Sequence, residues 1–292
     1  MAATVETQIP GVYHRRIGDI VVTAISDGVL KGSLEVLQNI TTDDAASLLT
    51  AGFRPLPRYT SVNTFVIRSG GRTALVDTGS GTAMGPAVGR LPANLAAAGI
   101  DRADIDTVLL THMHPDHSNG LVTDAGRLWF PAAELVMHAA EYGFWHDDAA
   151  MAKADPVSQA RNFQAGRTQV APYRDRMRLF GGGEVFPGVT AIPLPGHTPG
   201  HTGYAIASGG ETLLIWGDIV HVPEVQVPRP EVTMAFDVDP NQAEATRRRA
   251  FDMVATDRLL FAGMHVHFPG FARLARRGDG YALVQEPWVQ TL

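Results

Sequence analysis

Apolar positions along this chain fall into short β-branched runs rather than long helical stripes. Residues 17–26 (IGDIVVTAIS) predict a strand closed by Asp27-Gly28. Residues 62–68 and 73–77 predict two strands joined by Ser69-Gly70-Gly71, a hairpin signal. Residues 107–110 form a short buried-strand pattern, and 134–138, 189–194 and 259–262 read the same way. A second hairpin is expected from 203–207 and 212–216 around Ser208-Gly209-Gly210, with an edge strand at 281–284. Helical signals lie between the strands. Thr41 or Thr42 before Asp43-Asp44 caps a helix through Leu49. Residues 90–98 form a helix that Gly99 stops, and 139–146, 156–165 and 240–255 are further helices. Residues 1–16 carry no clear pattern. Each half of the chain shows hairpins followed by a strand that ends at polar residues. The expectation is an α+β domain of two similar β-layers covered by helices, spanning residues 1–292.

Composition narrows this only a little. A chain of 292 residues with 45% apolar content has ample core to bury. No apolar run approaches the length of a membrane span. The start, Met1 to Thr7, lacks a basic stretch followed by an apolar one, so a cytoplasmic protein is expected, with a processed secreted form as the alternative. The absence of cysteine excludes disulfides, thiolate nucleophiles and Cys-ligated metals. The net charge is −6, and the one basic triple, Arg247-Arg248-Arg249, falls in a predicted helix, where it reads as a solvated face. No nucleic-acid partner and no membrane partner are expected.

The chemistry concentrates at Thr111–Gly120, THMHPDHSNG, directly after the 107–110 strand. Imidazole and carboxylate are ligands suited to Zn²⁺ and its neighbours, and a loop leaving a strand is where scaffolds present them. On an extended backbone His112, His114 and Asp116 point to one side, and Pro115 lets His117 swing back toward them. Three more strand ends carry candidates: His197 or His201 in PGHTPGH, Asp218 in WGD, and His265 or His267 after Gly263-Met264. Five histidines and two carboxylates suit two metals that share a bridging carboxylate and a water. Asp77, ending its strand before Thr-Gly, is either an organiser that holds a ligand histidine or a turn cap. Met113 is expected in the core, and His14, His138 and His146 belong to no motif.

The order HxHxDH, GHTPGH, WGD, GMH resembles the metallo-β-lactamase superfamily over nearly the whole chain. Residues 216–280 most resemble the methyl parathion hydrolase branch, which neighbours the quorum-quenching N-acyl homoserine lactonases. The resemblance implies an αβ/βα sandwich, two mixed β-sheets flanked by helices, with metals at the open edge of the sheets. It implies that His112, His114 and His197 hold one metal, that Asp116, His117 and His265 hold the other, and that Asp218 bridges them. It makes the first histidine of GHTPGH the ligand and leaves His201 as a buried supporting residue. It also implies a homodimer, to which residues 1–60 would contribute a contact.

The reaction expected from such a centre is hydrolysis. A metal-bridging hydroxide attacks the carbonyl of a small-molecule lactone or aryl ester, and Asp116 passes the proton to the leaving alkoxide. Two divalent ions, zinc first and Fe, Co or Mn as alternatives, are the cofactors. No G-x-S-x-G elbow is present to offer a serine nucleophile. His221 stands where related lactonases often carry Tyr, and is either a hydrogen-bond donor or acid toward the substrate or a plain lining residue. Phe144-Trp145, Met234, Phe236 and Phe268 are expected to wall an apolar pocket. Phosphotriester hydrolysis is the alternative activity. A β-lactamase, a nuclease, an oxygen-reducing di-iron protein, a mononuclear iron dioxygenase and a structural metal protein fit the motifs, charge or length less well.

Overall fold

The computed structural model describes residues 8–292, so the reading of the leader at Met1–Thr7 lies outside it. Two seven-stranded sheets pack face to face. The first contains, in spatial and chain order, β1 (Val12–Ile17), β2 (Ile20–Gly32), β3 (Arg58–Ser69), β4 (Arg72–Val76), β5 (Thr107–Leu109), β6 (Glu134–His138) and β7 (Met177–Phe180). The second contains β8 (Gly183–Phe186), β9 (Val189–Pro193), β10 (Thr202–Ser208), β11 (Glu211–Ile215), β12 (Leu260–Ala262), β13 (Phe271–Arg277) and β14 (Gly280–Gln285) in sequential order. Both sheets are mixed. Strands β4 to β7 run parallel, as do β11 and β12, and the other pairings are antiparallel.

The continuous apolar runs have a simple cause: the central strands are buried on both faces. Phe65, Ile67, Val76, Leu109 and Val136 face Tyr204, Ile206, Leu213, Ile215 and Phe271 across the sandwich. The alternate residues Val66, Leu75, Val108 and Leu135 face outward and are covered by helices that supply Leu91, Leu95, Trp145 and Phe163. On the far side, Leu214 and Phe261 pack under Phe251 and Val254 of the long helix Pro240–Thr256. Burying such side chains contributes roughly 2 kcal/mol each. No described helix is long and apolar enough to cross a membrane.

Three expectations require correction. Asp27-Gly28 does not end the strand: β2 continues to Gly32 through a bulge at Ser26/Gly28. The bulge turns Asp27 inward, where it accepts from the backbone N–H groups of Ser80 and Leu91. The helix expected over 156–165 is in fact Pro156–Ser158, a π-helical stretch Gln159–Gln164, then Ala165–Val170. Arg247 is no part of a solvated face. It is buried and donates to the carbonyls of Ile219, Pro230 and Val232 at 2.7–2.9 Å, while Arg248 and Arg249 are exposed. Its guanidinium ties the loop after Asp218 to the helix. Arg247→Ala is expected to lower unfolding free energy by about 3 kcal/mol, because the buried carbonyls of Ile219 and Pro230 lose their donor and Val232 O keeps only Gln226; urea denaturation checks it.

Candidate metal centre

Strand direction puts the candidate ligands on one edge. Parallel β4 and β5 end at Asp77 and at the 112–117 loop, while β9, β11 and β12 share a direction and end at His197, Asp218 and His265. Ligands at the carboxyl ends of like-directed strands converge where the scaffold has an open edge. All seven side chains of the implied ligand set meet there. His112, His114 and His197 have nitrogens in mutual reach: His114 Nδ1 lies 3.1 Å from His112 Nε2 and 2.9 Å from His197 Nε2. Asp116, His117 and His265 form a second group. Asp218 Oδ2 sits between them, 3.2 Å from the Nε2 of both His117 and His265, 3.4 Å from His197 and 3.6 Å from His112.

The atoms point at space that a cation would fill. Buried His117 Nε2 and Asp218 Oδ1 have no hydrogen-bond partner among the described residues. Burial drives His112 and His114 well below the usual histidine range, while the charges of Asp218, Asp116 and Asp77 outweigh burial and hold His117 well above it. Burial alone would raise Asp218, but the charges of His117, His265, His221 and His112 hold it well below the usual carboxylate range. Imidazoles and carboxylates in this arrangement are a donor set that fits divalent metal ions.

Supporting contacts orient several of these rings. Asp77 Oδ2 is 2.7 Å from His117 Nδ1, and the same carboxylate accepts from Thr111 N–H and Oγ1, so of its two readings the organiser holds. His265 Nδ1 donates to Ser61 O at 2.8 Å. His201 uses both nitrogens elsewhere, on Leu194 O and Asp218 N–H, and so has none left for a metal. Gly217 adopts positive φ beneath that ring, and a Cβ there would lie 2.3 Å from His201 Nε2. His267 pairs with Glu224 at 2.7 Å, outside the cluster. Met113 is buried among apolar residues, and His14, His138 and His146 are elsewhere in the fold.

Two supporting carboxylates escaped the sequence reading. Asp237 Oδ1 lies 2.7 Å from His197 Nδ1; burial opposes it, but hydrogen bonds to Asp218 and Asp237 raise His197 to about 9. Glu141, wholly buried, accepts from Met113 N–H, Gly200 N–H, Thr198 Oγ1 and Trp145 Nε1 at 2.6–3.1 Å. It thereby clamps the HxHxDH loop to the GHTPGH loop. An acid on the apolar side of a helix, four residues before Trp145, was the available signal; Asp237 had none.

The cluster floors a cavity of about 960 Å³. Of the expected aromatic wall, Phe236 alone lines it. Trp145, Phe144 and Met234 are used in packing, and Phe268 packs against the inter-sheet core. Met84 and the segment 157–169 form wall that was not foreseen. His221 also reaches the cavity. Its Nε2 is 3.0 Å from Asp218 Oδ2 but badly aligned, leaving both ring nitrogens without a hydrogen-bond partner, and burial lowers it to about 4.

The chain belongs to the metallo-β-lactamase superfamily of hydrolases, whose profile matches residues 58–265. It is similar over 97% of its length, at 31% identity and a TM-score of 0.92, to the whole of a hydrolase named AbOPH in the β-lactamase superfamily. It shares its fold, at 23% identity and a TM-score of 0.89 over 96% of this chain and 99% of the other, with AidC, a dizinc quorum-quenching lactonase. It is 29% identical over 119 residues, 39% of this chain and 40% of the relative, to the N-acyl homoserine lactonase AttM of Azorhizobium caulinodans. The matches span less than half the length of the curated relatives.

Removing the Glu141 clamp leaves four buried donors unpaired. Glu141→Ala is expected to cost about 3 kcal/mol in urea unfolding. Asp77→Ala is expected to weaken metal retention by about 10–100-fold, read by chelator competition, because His117 loses its orienting partner.

Proposed function

We propose that this protein is a dinuclear metal-dependent hydrolase of lactones or aryl esters. The observation that carries the reading is a continuous cluster of five candidate histidines and two carboxylates, in overlapping groups of three around Asp218 and more than one ion needs, at the floor of an open cavity. His112, His114 and His197 would hold one divalent ion, Asp116, His117 and His265 the other, and Asp218 both. Two such ions, zinc in the first instance, supply an activated water and a polarising hold on a carbonyl oxygen.

The chain's own residues do the rest. Asp116 is the least buried of the ligands and lines the cavity, so its carboxylate can take a proton and deliver it to the leaving alkoxide. His221 holds a buried, neutral ring at the same wall, whose single N–H is free to donate a hydrogen bond to substrate. Its backbone N–H is fixed by Gln226 Oε1 at 2.7 Å, and Phe236 packs edge-on against its ring at 5.2 Å between centroids. Phe236 gives the neighbouring apolar surface for an acyl or aryl group.

A panel on metal-quantified protein tests this: an N-acyl homoserine lactone, dihydrocoumarin, an aryl acetate, methyl paraoxon and a cephalosporin. Carbonyl substrates are expected to exceed the phosphotriester by about a thousandfold, with two metals per chain. A dominant phosphotriester rate selects the alternative activity, and no hydrolysis with one metal bound removes the proposal. For His221→Ala, turnover is expected to fall about tenfold or more with metal content held. Loss of metal would make His221 a ligand, and unchanged turnover would make it a lining residue.

A further inference from the structure

The cavity wall holds a buried cation with no anionic partner among the described residues. Arg58 is 8% exposed, and burial depresses its pKa with no charged partner opposing. Its guanidinium donates to Ser33 O and to Thr60 Oγ1, both neutral acceptors. Among the described residues no carboxylate lies within salt-bridge reach of it, although the chain carries a net charge of −6. A buried cation left unpaired is costly unless something that visits the site balances it.

Its placement is built. Arg58 pairs in register with Gly32 on β2, and the guanidinium folds over that glycine, where a Cβ would come within 2.5 Å of it. A side chain at position 32 would push the group out of place. Arg58 and Thr60 share a face of β3, and both line the cavity. Ser61, next along the strand, gives its carbonyl to His265. One arm of the guanidinium thus reaches forward along β3 to Thr60, and about 10 Å of backbone separates Arg58 from Ser61. Apart from Asp116 and Asp218, which belong to that cluster, every charged side chain lining the cavity is basic: Arg58 in the wall, Lys31 and Arg161 exposed.

Resting on the hydrolase reading above, we propose that Arg58 determines specificity by receiving a carboxylate on the substrate, so that the preferred esters or lactones carry an anionic group a few bonds from the scissile carbonyl. A planar guanidinium with open N–H groups suits a carboxylate in two-point contact. Lys31 and Arg161 add attraction at the rim.

The test pairs substrates that differ only in that charge. Mono-p-nitrophenyl esters of succinic, glutaric, adipic and suberic acid are compared with their neutral methyl esters on the metal-loaded protein. For at least one chain length the charged ester is expected to lead by about tenfold or more in kcat/KM, mainly through KM. Arg58→Gln is expected to bring that ratio close to one, and Arg58→Lys to restore part of it. Parity in the wild type at every length, or a ratio that survives Arg58→Gln, overturns the proposal. Calorimetry separates it from the hydrolase reading, because it needs no turnover. The dicarboxylate matching each chain length should bind the metal-loaded wild type more tightly than the corresponding monocarboxylate, and Arg58→Gln should erase the difference. Equal binding of the two by the wild type refutes the Arg58 assignment whether or not any ester is hydrolysed.

Discussion

The structure is built around a buried negative charge. Asp218 is 3% exposed, and an isolated carboxylate at such depth would cost more than the fold could bear. Four imidazole nitrogens lie within 3.4 Å of its Oδ2, and a fifth at 3.6 Å. They come from strand ends in both sheets, so the sandwich must close before the charge is balanced. Everything else near the edge serves that closure. Glu141 joins the two histidine loops, Arg247 secures the segment after Asp218, and Asp77 and Asp237 turn the imidazoles the right way.

Local chemistry made much of this legible. The 112–117 loop declares itself because its candidate ligands are neighbours in sequence, and spacing is all that is needed to see them. Strands buried on both faces read as short unbroken apolar runs, so the two hairpins and the 107–109 strand were readable to within a few residues. What stayed hidden depends on distance. Asp237 lies 40 residues from His197, and nothing in its neighbourhood marks it as that ring's partner. Arg247 looked like surface because its two neighbours are; only the loops folded around it reveal the three carbonyls it bonds. The aromatic wall failed for a related reason: a Phe-Trp pair satisfies an apolar core as well as it satisfies a pocket, and here the core took it.

The bulge in β2 shows how a residue read as punctuation can be architecture. Asp-Gly inside an apolar run signals a turn, yet Gly28 adopts φ 122° and the strand goes on. The extension carries β2 to Lys31 and Gly32, at the cavity. Had the strand stopped where the pattern suggested, residues 30–33 would not reach the wall they now form.

The proposed ligand set is split by the chain: four members precede residue 118 and three follow residue 196. Neither half holds a complete site. Ions bound across that divide would therefore act on folding as well as catalysis, since they would favour the closed sandwich over every state in which the sheets have parted. At a free metal concentration a thousand times the dissociation constant, such linkage amounts to about 4 kcal/mol, a large share of a domain's net stability. Metal scarcity would then reach the cell twice, first as silent enzyme and then as chains lost to proteolysis.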